Sequence, residues 1–432
     1  MSHSIKRVRN AWVLYDWANS VYSLVITSSI FPIYYNSITS NGTDDIVHFL
    51  GMQFKNTALY SYSLSFSFLV VALITPLLSG IADYGGYKKG FMKFFSTMGA
   101  VSCSMLYFFN ESNLWLGILA FVFAGIGYSG SIVFYNSYLP VIAPKEKQDR
   151  LSAKGYAAGY IGGALLLIFN LTMIMKPEWY GVTAEDFSVR FSFLLVGIWW
   201  FLFASITFYY LPKNVFNKKP EGNMMSNGYK ELISVFKKLK GTPKLKNYIW
   251  AFFFISMGVQ TVMYVAALFG DKELKLESEQ LIITILIIQF VAIGGAYLFS
   301  YLSSKFGNIN TLIMAVLIWI GICIGAYNVY TVNSFYILAV AVGLVMGGIQ
   351  SLSRSTYSKI LPKTEDHATY FSFYDVAEKI GIVIGTASYG MIEELTGSMR
   401  NSVIALILFF VVAFYFLIRT SKYKEESLAH AN

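Results

Sequence analysis

Residues 124–140, AGIGYSGSIVFYNSYLP, lie over residues 346–362, MGGIQSLSRSTYSKILP, when the chain is slid on itself by 222 positions. Gly125 meets Gly347, Ser129 meets Ser351, Ser131 meets Ser353, and Tyr135 meets Tyr357. Leu139-Pro140 falls on Leu361-Pro362, and at the same offset Gly159-x3-Gly163 falls on Gly381-x3-Gly385. Self-similarity over so long a period marks a duplicated architecture. Small residues four apart let helix backbones approach closely, so packing within each half is the role expected of the paired glycines.

The setting of that repeat is apolar. Of the 432 residues, 56% are hydrophobic and 13% are charged, against about 25% charged in an average soluble chain. The shortfall places the chain in lipid. Two cysteines, Cys103 and Cys323, sit inside apolar stretches, where a small buried hydrophobe is expected rather than a disulfide. A net charge of +9 would suggest nucleic acid in a soluble protein. In a membrane protein the positive-inside bias accounts for it, and no nucleic-acid partner is expected.

Twelve segments of the length needed to cross a bilayer can be drawn, at about 11–37, 58–82, 91–109, 113–139, 153–175, 189–211, 247–270, 279–302, 309–330, 334–358, 371–392 and 401–419. Backbone groups in hydrocarbon must be satisfied within the segment, which selects helices. The runs are long and do not alternate as barrel strands do. The first segment is too long for a signal peptide, holds Asp16, and is followed by no small-residue cleavage site. With the N-terminus inside, the inner connections, tails and adjoining helix ends take 26 of the 33 Lys and Arg residues. The outer loops hold Lys55, Lys176, Arg190, Lys272, Lys275 and Arg400, and Lys379 lies within a helix. That asymmetry predicts an even number of spans with both termini cytoplasmic.

The fold class expected is therefore an all-α membrane protein of two six-helix pseudo-repeats. Residues 1–211 form the first half, 212–246 a basic cytoplasmic linker, and 247–432 the second half with a short basic tail. Parallel repeats joined by a linker describe a rocking transporter, with substrate between the halves near the midplane. Within the linker, residues 228–240, GYKELISVFKKLK, set Leu232, Ile233, Val235, Phe236 and Leu239 against Lys230, Lys237, Lys238 and Lys240. Two readings are open: an amphipathic helix on anionic lipid, or a solvated linker helix with no partner.

After the second segment comes GIADYGGYKKG, residues 80–90. Asp83, two glycines for a tight turn, and Lys88-Lys89 resemble the loop signature of the major facilitator superfamily. A carboxylate at a helix end can hold a cytoplasmic latch, and Arg150 or Lys154 in the connection between segments 4 and 5 is its expected partner. In the second half, SYLSSKFG at 300–307 keeps Gly307 but has Ser304 at the acidic position. A second latch is not expected there. The opening LYDWANSVYSLVITSSIFP (14–32) resembles the first helix of the vacuole-effluxer-like branch, related to the autophagy-linked amino-acid effluxers of fungal vacuoles. SYLPVIAPKE, SAKGYAAGYIGG (152–163), GVQTV (258–262) and GLVMGGIQSLSRS (343–355) agree with it. Met257 and Thr386 depart from it, where an acidic residue and a proline are usual. The resemblance implies alternating-access transport of a small solute, with amino acids or similar zwitterions first and a lipid or lysolipid flippase as the alternative. It also implies a multi-pass protein, placed in a bacterial inner membrane and expected to be monomeric.

Polar residues within the spans name the candidate site. On a helical wheel, Asp16, Asn19, Ser20, Ser23 and Thr27 share one arc of the first segment, and a polar stripe in a membrane should face other helices or a watery cavity. Asp16 has two open roles, a substrate or proton group and a structural lock near the helix end. Gln350, Arg354 and Ser358 align at four-residue spacing. Asp375 and Lys379 are four apart and form one candidate pair, leaving Glu378 for Arg354. The superfamily fold lines its cavity with helices 1, 4, 7 and 10, which adds Tyr135, Asn136, Gln260, Thr261 and Tyr264. Arg354 and Lys379 would hold a carboxylate, and Asp16 or Glu378 an ammonium group. The competing reading makes this cluster a salt-bridged gate. Proton coupling would need Asp16, Asp375 or Glu378. No His-Glu-x-x-His, Cys-rich or Gly-x-Ser-x-Gly motif is present, so no enzyme, metal or cofactor is expected. A membrane sensor is the rival from another class, and no signalling domain supports it.

Overall fold

The computed structural model describes residues 4–40, 45–183, 186–214, 216, 218 and 222–423. Lys219 of the basic linker and Lys424 of the basic tail lie outside them. The first apolar run forms α1 (Ile5–Val21), a six-residue π-helical turn (Tyr22–Thr27), and α2 (Ile30–Thr39). A hairpin of β1 (Ile46–Phe49) and β2 (Met52–Lys55) follows. Then come α3 (Asn56–Gly85), α4 (Lys88–Met105), α5 (Leu114–Asn136), a short α6 (Leu139–Ile142), α7 (Lys145–Met175) and α8 (Phe187–Tyr210). The linker carries α9 (Met224–Gly241). The remainder is α10 (Pro243–Leu274), α11 (Ser278–Phe306), α12 (Asn308–Tyr327), α13 (Val332–Ile360), α14 (His367–Thr396) and α15 (Met399–Ser421).

Among the described residues, nine helices are long and apolar enough to cross a membrane. The first run, which is not among them, is divided by the π-helical turn. Three lysines in eighteen residues hold back α4, and α14 carries Asp375, Glu378, Lys379, Glu393 and Glu394. The hairpin was not expected. Its antiparallel register pairs Ile46 with Lys55 and Phe49 with Met52, and Leu50 and Gly51 both take positive φ in the turn, as tight hairpins require.

Contacts divide the chain into two units differently from a split at the linker. Unit 1 comprises Met1–Lys147, Lys154–Leu232 and Glu365–Val376; unit 2 comprises Gln148–Ala153, Ile233–Thr364 and Ala377–Asn432. The reassigned pieces are the opening turns of α7 and α14. Those helices begin at Lys145 and His367, the repeat offset of 222.

The repeat is also a packing repeat. In unit 1, a Cβ on Gly125 of α5 would stand 2.9 Å from Ser67 Cβ on α3. In unit 2, the equivalent Gly347 of α13 lies against the Ala292 carbonyl of α11. Likewise Gly159 and Gly163 of α7 bring its backbone onto Ser20 and Leu24 of the first run, while Gly381 and Gly385 of α14 do so onto Phe253, Met257 and Thr261 of α10. Close backbone approach is what a glycine contributes there. The core of unit 1 is aromatic, with Phe31 stacked on Phe121 at 4.8 Å and Phe121 on Tyr60 at 4.9 Å.

Candidate functional site

In unit 1 the polar stripe of α1 is buried. Tyr135 of α5 donates its hydroxyl to Asp16 Oδ2 at 2.7 Å. Tyr135 is in turn fixed by the Trp12 ring, stacked at 4.5 Å, and by Trp12 Nε1, which donates to the Tyr135 carbonyl at 3.0 Å. Asn19 and Asn136 are buried, and the Asn19 Nδ2 atom has no hydrogen-bond partner. Ser23 lies within the π-helical turn and donates to the Ser20 carbonyl. Wide turns of this kind inside helices concentrate at functional sites. Here one carbonyl in the turn and one in α1 before it are taken up by side chains. The indole of Trp199 donates to Trp17 and the hydroxyl of Tyr60 donates to Thr27.

In unit 2 the polar side chains gather on α10 and α14. Glu378 Oε1 accepts from Gln260 Nε2 at 3.1 Å, and Glu378 Oε2 pairs with Lys379 Nζ at 2.9 Å. The expected partner of Glu378, Arg354, is elsewhere. Arg354 is buried on α13 and donates from Nε to Ser152 Oγ at 2.9 Å and from Nη2 to the Ser152 carbonyl at 3.0 Å. Tyr264 and Gln350 are half-buried on α10 and α13. Asp375 is buried and belongs by contact to unit 1.

The latch residues are also placed differently from expectation. Asp83, at the end of α3, pairs with Lys88 at 2.8 Å rather than with Arg150 or Lys154. Gly86 at φ +72° ends α3 and allows α4 to start two residues later, which folds Lys88 back over the carboxylate. Arg150 is exposed, and Lys154 donates to Asn10. Asp83 also accepts from the backbone N–H of Thr369 at 2.7 Å, from its hydroxyl at 2.8 Å, and from the Ala368 N–H at 3.3 Å. It thus caps the start of α14, where orphan N–H groups favour a negative charge. Lys88 reaches the Glu365 carbonyl at 3.3 Å, and Glu365 pairs with Lys218 at 2.6 Å.

A counterpart in unit 2 was missed. Asp149 pairs with Lys359 and accepts from Asn308 Nδ2 at 2.8 Å and Ser303 Oγ at 3.0 Å. Ser303 stands in the segment that lacks the acidic residue, and the acid is supplied by the opening turns of α7. The missing acid at 300–307 was the available signal. In unit 1 the helix end carries the acid; in unit 2 the acid comes from the incoming segment. No cluster of three or more metal-ligating side chains occurs among the described residues.

A family model described as "Vacuole effluxer Atg22 like" matches residues 4–428. The chain is 31% identical over 420 residues to an uncharacterized MFS-type transporter, YxiO, of Bacillus subtilis (strain 168), covering 96% of this chain and 95% of that one. It is 26% identical over 392 residues to Autophagy-related protein 22 of Kluyveromyces lactis, covering 82% and 77%. A crystal structure of a bacterial homologue of the iron transporter ferroportin superposes with a TM-score of 0.70 at 12% identity, covering 98% of this chain and all of that one. That of a variant of the Escherichia coli fucose:proton symporter FucP gives 0.68 at 15% identity, covering 97% and 98%. At such identity these two show the fold alone. It is the major facilitator fold. The chain belongs to the Atg22-like vacuole-effluxer family of major facilitator transporters.

Proposed function

We propose that this transporter carries small zwitterionic solutes, amino acids first among them, by alternating access between its two six-helix halves. Residues 1–211 and 247–432 form those halves, joined by the 212–246 linker. Twelve spans place both termini on the cytoplasmic side of a bacterial inner membrane.

One observation carries the substrate class: the Glu378–Lys379 pair with Gln260 on Glu378. Ionisable groups inside a membrane segment are costly and mark solute or proton pathways. Removing one partner of such a pair leaves the other charge uncompensated. A zwitterion can take both places at once, its ammonium on Glu378 and its carboxylate on Lys379, without changing the net buried charge. A neutral sugar cannot replace either ion, and a simple anion would strand Glu378. Protonation of Glu378 would release Lys379 to the substrate, which supports proton coupling through the same group.

The test is counterflow in proteoliposomes with labelled amino acids, nucleosides, sugars and lysolipids, with and without an imposed pH gradient. Zwitterions exchange, and Glu378→Gln and Lys379→Met each abolish that exchange. Exchange of sugars or lysolipids, unaffected by either substitution, overturns the reading. Rates that ignore the pH gradient remove the proton.

A further inference from the structure

The linker helix α9 carries two apolar stripes, and only one of them is used inside the protein. The inner stripe is Gly228, Val235 and Leu239, all buried. Gly228 lies backbone to backbone on α3, where a Cβ at Gly80 would overlap the Gly228 carbonyl oxygen. Asn227 Nδ2 donates to the Tyr84 hydroxyl at 3.0 Å beside it. The outer stripe is Met225, Tyr229 and Phe236, which are 64%, 56% and 39% exposed. At about 100° per residue these three span some 40° of the helix, roughly 80° around from the inner stripe.

Lysines flank one side of the outer stripe, Lys240 beside it and Lys237 and Lys230 beyond, while Lys238 falls on the opposite side of the helix. Lys230, Lys237, Lys238 and Lys240 are exposed, and Lys240 Nζ stands 4.5 Å from the Phe236 ring centroid. The one acid on the helix, Glu231, lies round toward the inner stripe and is half-buried.

The depth of the helix is fixed at both ends. Gly80 is five residues before the end of the spanning helix α3, about 8 Å along it at 1.5 Å per residue. Only Thr242 separates α9 from α10, itself a spanning helix. The start of α9 therefore lies near the end of a spanning helix. Exposed apolar side chains flanked by lysines are the composition that seats a helix in the headgroup region of an anionic membrane.

We propose that the Met225–Tyr229–Phe236 stripe and its bordering lysines form a docking surface for anionic phospholipid. The apolar side chains enter the headgroup–acyl boundary and the lysines meet the phosphates. This inference is independent of which solute the protein carries.

The test places a nitroxide on Ser226→Cys, an exposed position beside the stripe, while Cys103 and Cys323 are buried. The full chain is reconstituted in vesicles of phosphatidylcholine alone or mixed with phosphatidylglycerol. Collision with oxygen and with an aqueous nickel chelate reads the depth of the label. In phosphatidylglycerol vesicles the label meets oxygen in preference to nickel. Each Lys→Gln change at 230, 237 or 240 lowers occupancy of the docked state by about fivefold, and Lys238→Gln, on the opposite side, leaves it unchanged. Tyr229→Ser with Phe236→Ser returns the label to water while Gly228, Val235 and Leu239 keep the helix in place. Nickel accessibility equal to that of a free aqueous site in both vesicles overturns the proposal. So does oxygen preference that is identical without phosphatidylglycerol or insensitive to Lys230, Lys237 and Lys240.

Discussion

His367 gives the opening turn of α14 a dependence on pH whose size follows from its surroundings. It is the first residue of α14, four residues before the span predicted at 371, and only 8% exposed. Its ring stacks on Phe216 at 5.9 Å, Lys88 Nζ stands 5.5 Å from the same Phe216 ring, and His367 Nδ1 is buried without a hydrogen-bond partner. The charged groups around it are Lys88 with its partner Asp83, Glu365 with its partner Lys218, and Asp366. Burial, reinforced by the Lys88 ammonium and opposed by a hydrogen bond with the Glu365 backbone, pushes the imidazole down to about 3.

Released into water, the same imidazole would titrate near 6.5. The docked turn therefore holds a neutral His367 and the undocked turn takes up a proton below pH 6.5. Docking is unaffected above that pH, weakens as pH falls through it, and loses ground until about pH 3. At pH 5.0 the undocked state gains about 2 kcal/mol, or some 30-fold in population. The assay is the labelling rate of Ser372→Cys, a buried position in the same turns, by an impermeant maleimide. Dividing by the rate in the same protein with His367→Gln cancels the pH dependence of the thiol itself. The ratio should rise about 30-fold from pH 7.5 to pH 5.0. A flat ratio would show that His367 stays neutral and buried throughout, or that the turn does not open.

Three further outcomes follow from the packing. Gly80→Ala places a methyl against the Gly228 carbonyl and should cost about 1–3 kcal/mol. Gly90→Ala, with nothing within 4 Å of the added methyl, should be neutral or stabilise by up to about 1 kcal/mol, and thermal unfolding in detergent compares the two. Asp149→Asn and Lys359→Met should each lower unfolding stability by about 1–3 kcal/mol, discounted for partial exposure. Their double-mutant cycle should show coupling rather than additivity. Tyr135→Phe removes the hydroxyl that donates to Asp16 and should cost about 1.5–3 kcal/mol, as for hydrogen bonds to charged groups. Denaturation in the same detergent checks it, with loss below about 0.5 kcal/mol counting against the bond as a significant one.

The architecture was legible because two signals agreed: continuous apolar runs of spanning length, and a repeat whose glycines keep the same packing role in both units. What escaped the reading was decided by tertiary contact. The π-helical turn at Tyr22–Thr27 leaves no mark in composition, since its Thr27 carbonyl is satisfied by Tyr60 from another helix. The polar starts of α7 and α14 lie before their apolar runs, so helix there depends on partners such as Asp83. Among the site residues, Asp16 and Tyr135, which the sequence places on different helices, are bonded, as are Gln260 and Glu378. The sequence reading gives Arg354 to Glu378 because Asp375 and Lys379, four apart on one helix face, form the first candidate pair. Lys379 reaches Glu378 all the same, on its long stem, and Arg354 turns to Ser152. Asp83 was matched to distant cations because the Gly86 turn that returns Lys88 to it cannot be weighed from sequence.

The exchange of opening turns between the units bears on how the protein is made. Thr369, whose N–H and hydroxyl bind Asp83, is translated nearly three hundred residues after that aspartate. A nascent chain that has inserted its early helices therefore holds a buried carboxylate with Lys88 alone until the ribosome has passed residue 376. Unit 2 waits less, since the acid it borrows from residues 148–153 is already in place when Lys359 emerges. Unit 1 is thus completed only after most of unit 2 has been made, shortly before the last helix. Chains severed before residue 365 should be the ones that quality control recognises as unfinished.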